Sequence, residues 1–410
     1  MHEYLENTEN GHEKKISVLL VGTGGYAGLY VKELLHGIYA KQFEIVGAVD
    51  PYADQSESGR ELIRHGVPVY HTVEKFYQEQ TAQVAFIVTP IYLHAYQSQY
   101  CMEHGSDVLC EKPICATLKD AEKMIAVRDH TGRRLAIGFQ WSFSKSILKL
   151  KQDIMHGLYG KIRRIRTIVY FPRGLDYYHR GTDWAGKRRL ASGEWSLDSV
   201  ASNAAAHYLH NMLFLTGDET DLSAEPVLIE AEIYRANPIE MFDTCALRVG
   251  IVNDVQLLFY ATHAVPEKQE RKPEFIIEGE QGMVTLCYEE GREVMMGRLL
   301  DGRIISYGEP SAENMYKLSC MAEAIRGKGH LPCIPETALP HLKCICALAE
   351  SFHETPQFPD EFVHYDENAR QYTCTGLGET LNMCWERGSL PYEEGVSWSQ
   401  KPHVMVLQER

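Results

Sequence analysis

Between Ile16 and Phe139 the chain alternates short apolar runs with segments whose apolar residues recur at helical spacing. The runs are Ile16 to Val21, Glu44 to Val49, Val84 to Thr89, Asp107 to Cys110 and Leu135 to Phe139, with a shorter one from Val67 to Tyr70. Strands separated by helices are the rhythm of βαβ units and a parallel sheet. Between the first two runs, Ala27, Tyr30, Val31, Leu34, Leu35 and Ile38 give a helix one apolar face to lay on that sheet. The pattern predicts an α/β fold that begins with a doubly wound domain over residues 1–145.

Beyond about residue 150 the strands lengthen and fall into hairpin order. Lys161 to Phe171, Val227 to Ala236, Thr244 to Val252 and Val255 to Ala264 read as strands, the last two joined by a turn at Asn253-Asp254. Glu274 to Glu278 and Met283 to Tyr288 repeat the plan around Gly279 to Gly282. This predicts a second, α+β domain over 146–410 with a large, mostly antiparallel open sheet. One face of such a sheet is either an oligomer interface, for a dimer or tetramer, or is covered by helices of the same chain. Ala312 to Glu354 is helical in pattern, with its helices free to pack back on the first domain, and Thr355 to Gln371 reads as loop. No pattern is visible after Trp398, and there is no internal repeat.

Composition narrows the function classes more than the fold. A chain of 410 residues exceeds what one core usually supports, in keeping with two domains. Lysines and arginines number 41 against 56 acids, a net charge of -15 without a basic run, which argues against nucleic acid as a partner. No apolar stretch is long enough to span a bilayer, and Met1 to Lys15 is too polar for a secretory leader. The eleven cysteines are scattered without a Cys-x-x-Cys pair, the usage of a reducing cytoplasm rather than a disulfide framework.

Two short motifs carry chemistry. Gly22-Thr23-Gly24-Gly25-Tyr26-Ala27-Gly28 leaves the first strand and opens the first helix. In a dinucleotide-binding turn the first glycine bends the chain, the second lets backbone approach the pyrophosphate, and the helix start supplies amide donors. Ala27 holds the third small position, and Asp50 ends the next strand, where a carboxylate accepts ribose hydroxyls and repels a 2′-phosphate. NAD is favoured over NADP, which stays open. The second motif, Glu111-Lys112-Pro113, ends the fourth clear run at the carboxyl edge where such sheets bind ligands. An ammonium there hydrogen-bonds a carbinol or carbonyl oxygen.

With these motifs, with Thr89-Pro90 and His94, and with Glu278-Gly279-Glu280-Gln281-Gly282, the chain resembles the Gfo/Idh/MocA family of glucose-fructose oxidoreductase and inositol dehydrogenase over roughly residues 16–350. The resemblance implies a Rossmann domain followed by an α+β domain, with NAD or NADP and a sugar, cyclitol or related polyol between them. It places Gly22, Thr23, Gly24, Gly25, Tyr26, Ala27, Asp50, Thr89, Pro90, His94, Glu111, Lys112 and Gln140 at the cofactor. It also implies a second-domain helix with an acid-flanked histidine beside the lysine. His207 matches that histidine, while Asn203 and His210 stand where the family has aspartates.

The segment Ser199 to Gly217 contains no Lys, Arg, Asp or Glu. Read as a helix, it aligns Asn203, His207, His210, Asn211 and Phe214 as a neutral stripe suited to a cleft wall or to an internal hydrogen-bond network. A metal held by His207 and His210 lacks a third ligand nearby. The connection Pro172 to Ser196 carries Arg173, Tyr177, Tyr178, Arg180 and Trp184, aromatic planes beside hydrogen-bonding groups that suit a sugar, or anchors of a surface excursion.

The expected function is therefore hydride transfer between NAD and a secondary alcohol of a carbohydrate or polyol. Lys112, His207 and Asn203 are the catalytic group, and Lys112, Trp141, Arg173, Trp184, Asn203, His207, His210 and Asn211 the substrate-binding group, with no metal. A hydrolase or lyase acting on a glycoside through a transient ketone on retained NAD, and a non-catalytic sugar-responsive regulator, are the competing expectations.

Overall fold

The computed structural model describes residues 14–407 apart from 182 and 253. Six strands, β1 (Ile16–Val21), β2 (Phe43–Val49), β3 (Val69–Tyr70), β4 (Val84–Ile87), β5 (Asp107–Cys110) and β6 (Leu135–Ile137), form a parallel sheet in the order β3-β2-β1-β4-β5-β6. Helices α1 (Ala27–Leu35), α2 (Glu57–Arg64), α3 (Val73–Glu79), α4 (Ile91–Glu103) and α5 (Leu118–Thr131) make the crossovers. Local chemistry sets their ends: Thr117 Oγ1 accepts from Asp120 N at 3.2 Å to start α5, and Gly132 closes it at a φ of 66°. The winding reverses between β1 and β4, so loops leaving their carboxyl ends part and leave a crevice.

The chain continues through α6 (Gln140–Phe143), α7 (Lys145–Met155), β7 (Ile162–Tyr170), α8 (Leu175–Tyr178) and α9 (Ala206–Leu215). Then come β8 (Pro226–Tyr234), β9 (Thr244–Ile251), β10 (Gln256–Thr262), β11 (Arg271–Gly279), β12 (Gly282–Glu289), β13 (Arg292–Leu299) and β14 (Ile304–Gly308). With a last strand, β15 (His403–Val406), they form a nine-stranded sheet in the order β14-β13-β12-β11-β7-β10-β9-β8-β15. Every pairing is antiparallel except β7 with β10. The expected turn at Asn253-Asp254 lies partly outside the described residues, but β9 and β10 pair as the hairpin requires.

Helices α10 (Tyr316–Ile325) and α11 (Pro335–Ser351) return to the first sheet. Ile137 N, on the edge strand β6, donates to Cys333 O at 2.9 Å, and Arg128 of α5 grips Glu336 of α11 at 2.7 and 2.8 Å. One apolar core runs from Val18 and Phe86 to Leu209, Leu247 and Ile277, so both sheets press on the same buried layer.

Three expectations need correction. The helix drawn from Ser199 starts only at Ala206, because Ser199 and Ser202 bond each other and Ser202 Oγ donates to Leu197 O at 2.7 Å, a local alternative to helical bonding. Asn203 therefore sits in a turn before α9, off its face. The loop drawn over Thr355 to Gln371 contains a strand, Val363–Asp366, paired with Gln371–Cys374. The chain beyond Trp398, without visible pattern, supplies the edge strand β15.

The C-terminal segment also covers part of the large sheet. Helix α12 (Leu377–Arg387) lays Leu377, Leu381 and Cys384 on Ile168 and Tyr170 of β7 and on Leu258 and Tyr260 of β10. Arg166 Nη1 donates to Trp385 O and Glu386 O, both at 2.7 Å, and so occupies the carbonyls at the helix end. The middle of the outer face is thus taken by the chain itself. Leu381→Ala is expected to lose about 2–5 kcal/mol, because Leu381 is fully buried in that seam. Urea unfolding followed by tryptophan fluorescence, with Trp385 in α12 as reporter, measures it.

Candidate active site

The glycine turn is shaped for close approach. Gly22 has a φ of 91°, and a Cβ there would lie 2.5 Å from Val88 O, so no other residue fits. Gly24 and Gly25 have nothing within 4 Å of an added Cβ, which leaves their backbone open at the start of α1, over a fully buried Ala27. Thr23 N and Oγ1 donate to Asp50 Oδ2 at 2.9 and 2.8 Å, while Tyr52 N donates to Asp50 Oδ1 at 2.8 Å. Asp50 is therefore held by the turn, with a lone pair left on Oδ1 for a ligand hydroxyl. This open, amide-rich cradle beside a fixed carboxylate fits the pyrophosphate and ribose of a dinucleotide.

Thr89 and Pro90 lie at the carboxyl end of β4, with Thr89 Oγ1 donating to Gln97 Oε1 at 2.6 Å. His94 does not face the crevice. It is 1% exposed, with Nδ1 2.8 Å from Pro113 O and Nε2 2.8 Å from Thr89 O. It braces the Thr89-Pro90 turn against the Glu111-Lys112-Pro113 turn and has no surface left for a cofactor.

Lys112 is the junction of the two halves. Its Nζ donates to Asn203 O at 2.7 Å and to Asn203 Oδ1 at 3.0 Å. Asn203 Nδ2 in turn donates to Asp198 Oδ1 at 2.8 Å, and Gly186 N donates to Asp198 Oδ2 at 2.6 Å. Burial lowers the Lys112 pKa to about 8; Glu111 and Asp198 pull it back up, and Lys317 and Arg180 push it further down. His207 is 9% exposed, and its Nδ1 has no hydrogen-bond partner among the described residues. Burial, then the Lys112 charge, hold its pKa well below the ordinary histidine value, so the ring is neutral at pH 7.

Beneath Lys112 lies a second ion pair. Glu111 Oε1 accepts from Lys317 of α10 and from Tyr30 OH, with neither charged side chain appreciably exposed. Lys317 also lies 3.4 Å from Tyr26 OH, which donates to Gln140 Oε1 at 3.0 Å. Although burial opposes it, the Glu111 charge raises the Lys317 pKa, so Lys317 remains an ammonium. Glu111 and Gln140 thus meet the glycine turn through Tyr26.

Of the residues expected to touch substrate, Lys112, Asn203, His207, Arg173 and Trp184 retain exposed surface, or in the case of His207 a margin of it. Three do not: Trp141 is 2% exposed and donates to Ser311 Oγ at 3.2 Å, Asn211 is buried, and His210 is sealed between Ser142 and Phe139. These three back the cleft wall. Helical spacing aligned them with His207 but carried no information about depth. Two members were missed. Asp198 is the lone acid from Trp195 to Gly217, which was the available signal. Lys317 stands among Cys320, Met321 and Ala324, buried positions of one helix, a lysine on an apolar face.

Strand order, switch-point crevice and glycine turn define an NAD-binding Rossmann fold. Residues 16–139 match the model of the oxidoreductase family with an NAD-binding Rossmann fold, Gfo/Idh/MocA. A dehydrogenase of 1-carboxy-3-chloro-3,4-dihydroxycyclohexa-1,5-diene from Comamonas testosteroni is 32% identical over 160 residues, 38% of this chain and 37% of that protein. Inositol 2-dehydrogenase 1 of Saccharopolyspora erythraea is 26% identical over 167 residues, 40% of this chain and 48% of that protein. The chain thus matches less than half the length of either relative. In fold it is similar to the WlbA dehydrogenase from Bordetella pertussis, solved with NADH and UDP-GlcNAcA, at a TM-score of 0.66 and 20% identity over 83% of this chain and 97% of that one. No helix among the described residues is long and apolar enough to cross a membrane.

Lys317→Met is expected to cost about 3–5 kcal/mol, because it leaves the Glu111 carboxylate buried without its cation. The double variant with Glu111→Gln recovers part of that loss. Equilibrium denaturation of the two variants measures both.

Proposed function

We propose that the protein is an NAD-dependent dehydrogenase that interconverts a secondary alcohol and a ketone on a small polyhydroxylated substrate, a sugar, cyclitol or glycoside. The observation that carries this reading is the Lys112 ammonium, of lowered pKa, beside the neutral His207 at the carboxyl edge of a sheet that also bears an open glycine turn. NAD, when bound, supplies the acceptor for the hydride that leaves the carbinol carbon.

The chain's own groups divide the remaining work. Lys112 hydrogen-bonds the carbinol oxygen and offsets the negative charge that grows there. His207 accepts the hydroxyl proton as the carbon–hydrogen bond breaks. Asn203 fixes the ammonium by two oxygens, and Asp198 fixes Asn203. Trp184 offers an aromatic plane to the apolar face of a sugar ring. The Asp50 carboxylate disfavours a 2′-phosphate and so selects NAD over NADP. Eleven free thiols fit a reducing, cytoplasmic setting.

A spectrophotometric screen of sugars, cyclitols and glycosides with NAD and NADP is expected to give NADH and little NADPH. Lys112→Ala and His207→Ala are each expected to lower kcat/KM by about 10²-fold or more; full retention by either removes its assigned role. The ammonium is the competent form and is present below its pKa, so kcat/KM for oxidation is expected to fall as pH rises through about 8. A rise through the same point would assign Lys112 as the base instead.

A further inference from the structure

We propose that the cleft contains an anion subsite, formed by Arg180 together with Arg173, which binds a carboxylate or phosphate group of the substrate away from the reacting carbon. This rests on reading the cleft as the substrate site and goes beyond it by fixing the charge of the substrate.

The two arginines bracket one aromatic ring. The Arg180 guanidinium lies 3.6 Å from the Tyr177 ring centroid and 4.9 Å from that of Trp184, and Arg173 lies 5.2 Å from the Tyr177 ring centroid. Asn203 Nδ2 donates to the Tyr177 hydroxyl at 3.4 Å, so the pair sits one ring away from the residue whose oxygens hold Lys112. Stacking on an aromatic face engages the guanidinium plane and leaves its edge donors free to point outward. Each makes a backbone bond, Arg180 Nη1 to Tyr177 O at 2.5 Å and Arg173 Nη1 to Pro172 O at 2.9 Å, and Arg180 also engages the Tyr177 side chain. An arginine has five N–H donors, so each edge can still form the two-point contact that carboxylates and phosphates accept.

What marks the pair is the lack of a carboxylate at ion-pair distance among the described residues, Asp198 reaching Arg180 only as a longer-range charge. The chain is strongly acidic, and its other arginines are largely matched: Arg128 with Glu336, Arg164 and Arg166 with Glu278, Arg248 with Glu230 and Glu393, Arg271 with Glu274. Among the described residues neither Arg173 nor Arg180 lies in an ion pair. The three acids of their own loop are turned elsewhere, Asp176 to Arg370 at 3.0 Å, Asp183 to His179 at 3.6 Å, and Glu194 toward the Arg189 charge. Asp198 is committed to Gly186 N and Asn203, and Glu111 to Lys317. Lys112, Arg173 and Arg180 therefore face the cleft with one carboxylate, Asp198, to balance them. Two like charges beside one ring repel, and an anion bridging them removes that cost while filling their open donors.

A substrate with an acidic group at one end and a secondary alcohol at the other satisfies both halves of the cleft. The anion takes no part in the bond changes; it sets which end of the molecule lies toward Lys112.

Titration calorimetry on the full chain in the presence of NAD tests this with matched probes: glucuronate, galacturonate and mannuronate, the corresponding 6-phosphates, and the neutral hexoses. At least one acidic member is expected to bind about tenfold or more tighter than its neutral partner. Arg180→Gln and Arg173→Gln are each expected to reduce that preference severalfold. Whether the uronates or the 6-phosphates gain identifies the anion. Equal binding of acids and neutral sugars, or a preference that survives both variants, overturns the subsite. Hydride transfer is read separately on the same probes: a preference for acids that yields no NADH with any of them sinks the dehydrogenase reading and leaves the subsite standing, whereas NADH formation from neutral sugars without that preference does the reverse.

Discussion

An ammonium group leaves water only where other atoms take over its hydrogen bonds, and the meeting of the two sheets is organised around that requirement at Lys112. The lysine comes from the carboxyl edge of the parallel sheet, and its two acceptors, the main-chain and side-chain oxygens of Asn203, come from the turn before α9. Asp198 then holds Asn203, and Leu197, immediately before it, carries a φ of 47°. A leucine in that conformation costs about 1–3 kcal/mol and persists only where its surroundings over-determine it. The core common to both sheets supplies that constraint.

The same economy of buried charge recurs one layer down. Glu111, adjacent to Lys112 in sequence, does not neutralise it directly but pairs with Lys317 from α10, so the return of the C-terminal helices supplies the cation that lets Glu111 remain buried. Burial depresses the basicity of Lys112, with Glu111 and Asp198 opposing the shift and Lys317 and Arg180 adding to it. The arrangement keeps it near the range where proton and hydride chemistry run.

The parallel sheet was legible because each of its longer strands is an uninterrupted apolar run and its helices carry periodic faces. Gly22, Asp50 and Lys112 were legible because backbone demands and strand ends mark them. The partners of Lys112 were less so. Asn203 was assigned to a helix face, and serine bonding local to Ser199 and Ser202 replaces that helix with turns. Asp198 and Lys317 act through contacts with residues far apart in sequence or across a turn, which periodicity does not encode. His94, His210, Asn211 and Trp141 have the polar chemistry of a site but lie under its wall, since spacing gives direction and not depth. The C-terminal cover was missed for a related reason: Phe358, Cys374, Leu381, Leu390 and Trp398 are isolated apolar residues that form a seam only against the finished sheet.

The account depends most on Asp198 acting through Asn203 on the charge of Lys112. The direct measurement is the pH dependence of kcat/KM for alcohol oxidation in the wild type and in Asp198→Asn, which keeps the side chain's shape and removes its charge. Because Asp198 raises the Lys112 pKa, the alkaline break is predicted to move to lower pH in the variant. A break that stays where the wild type has it would contradict the account.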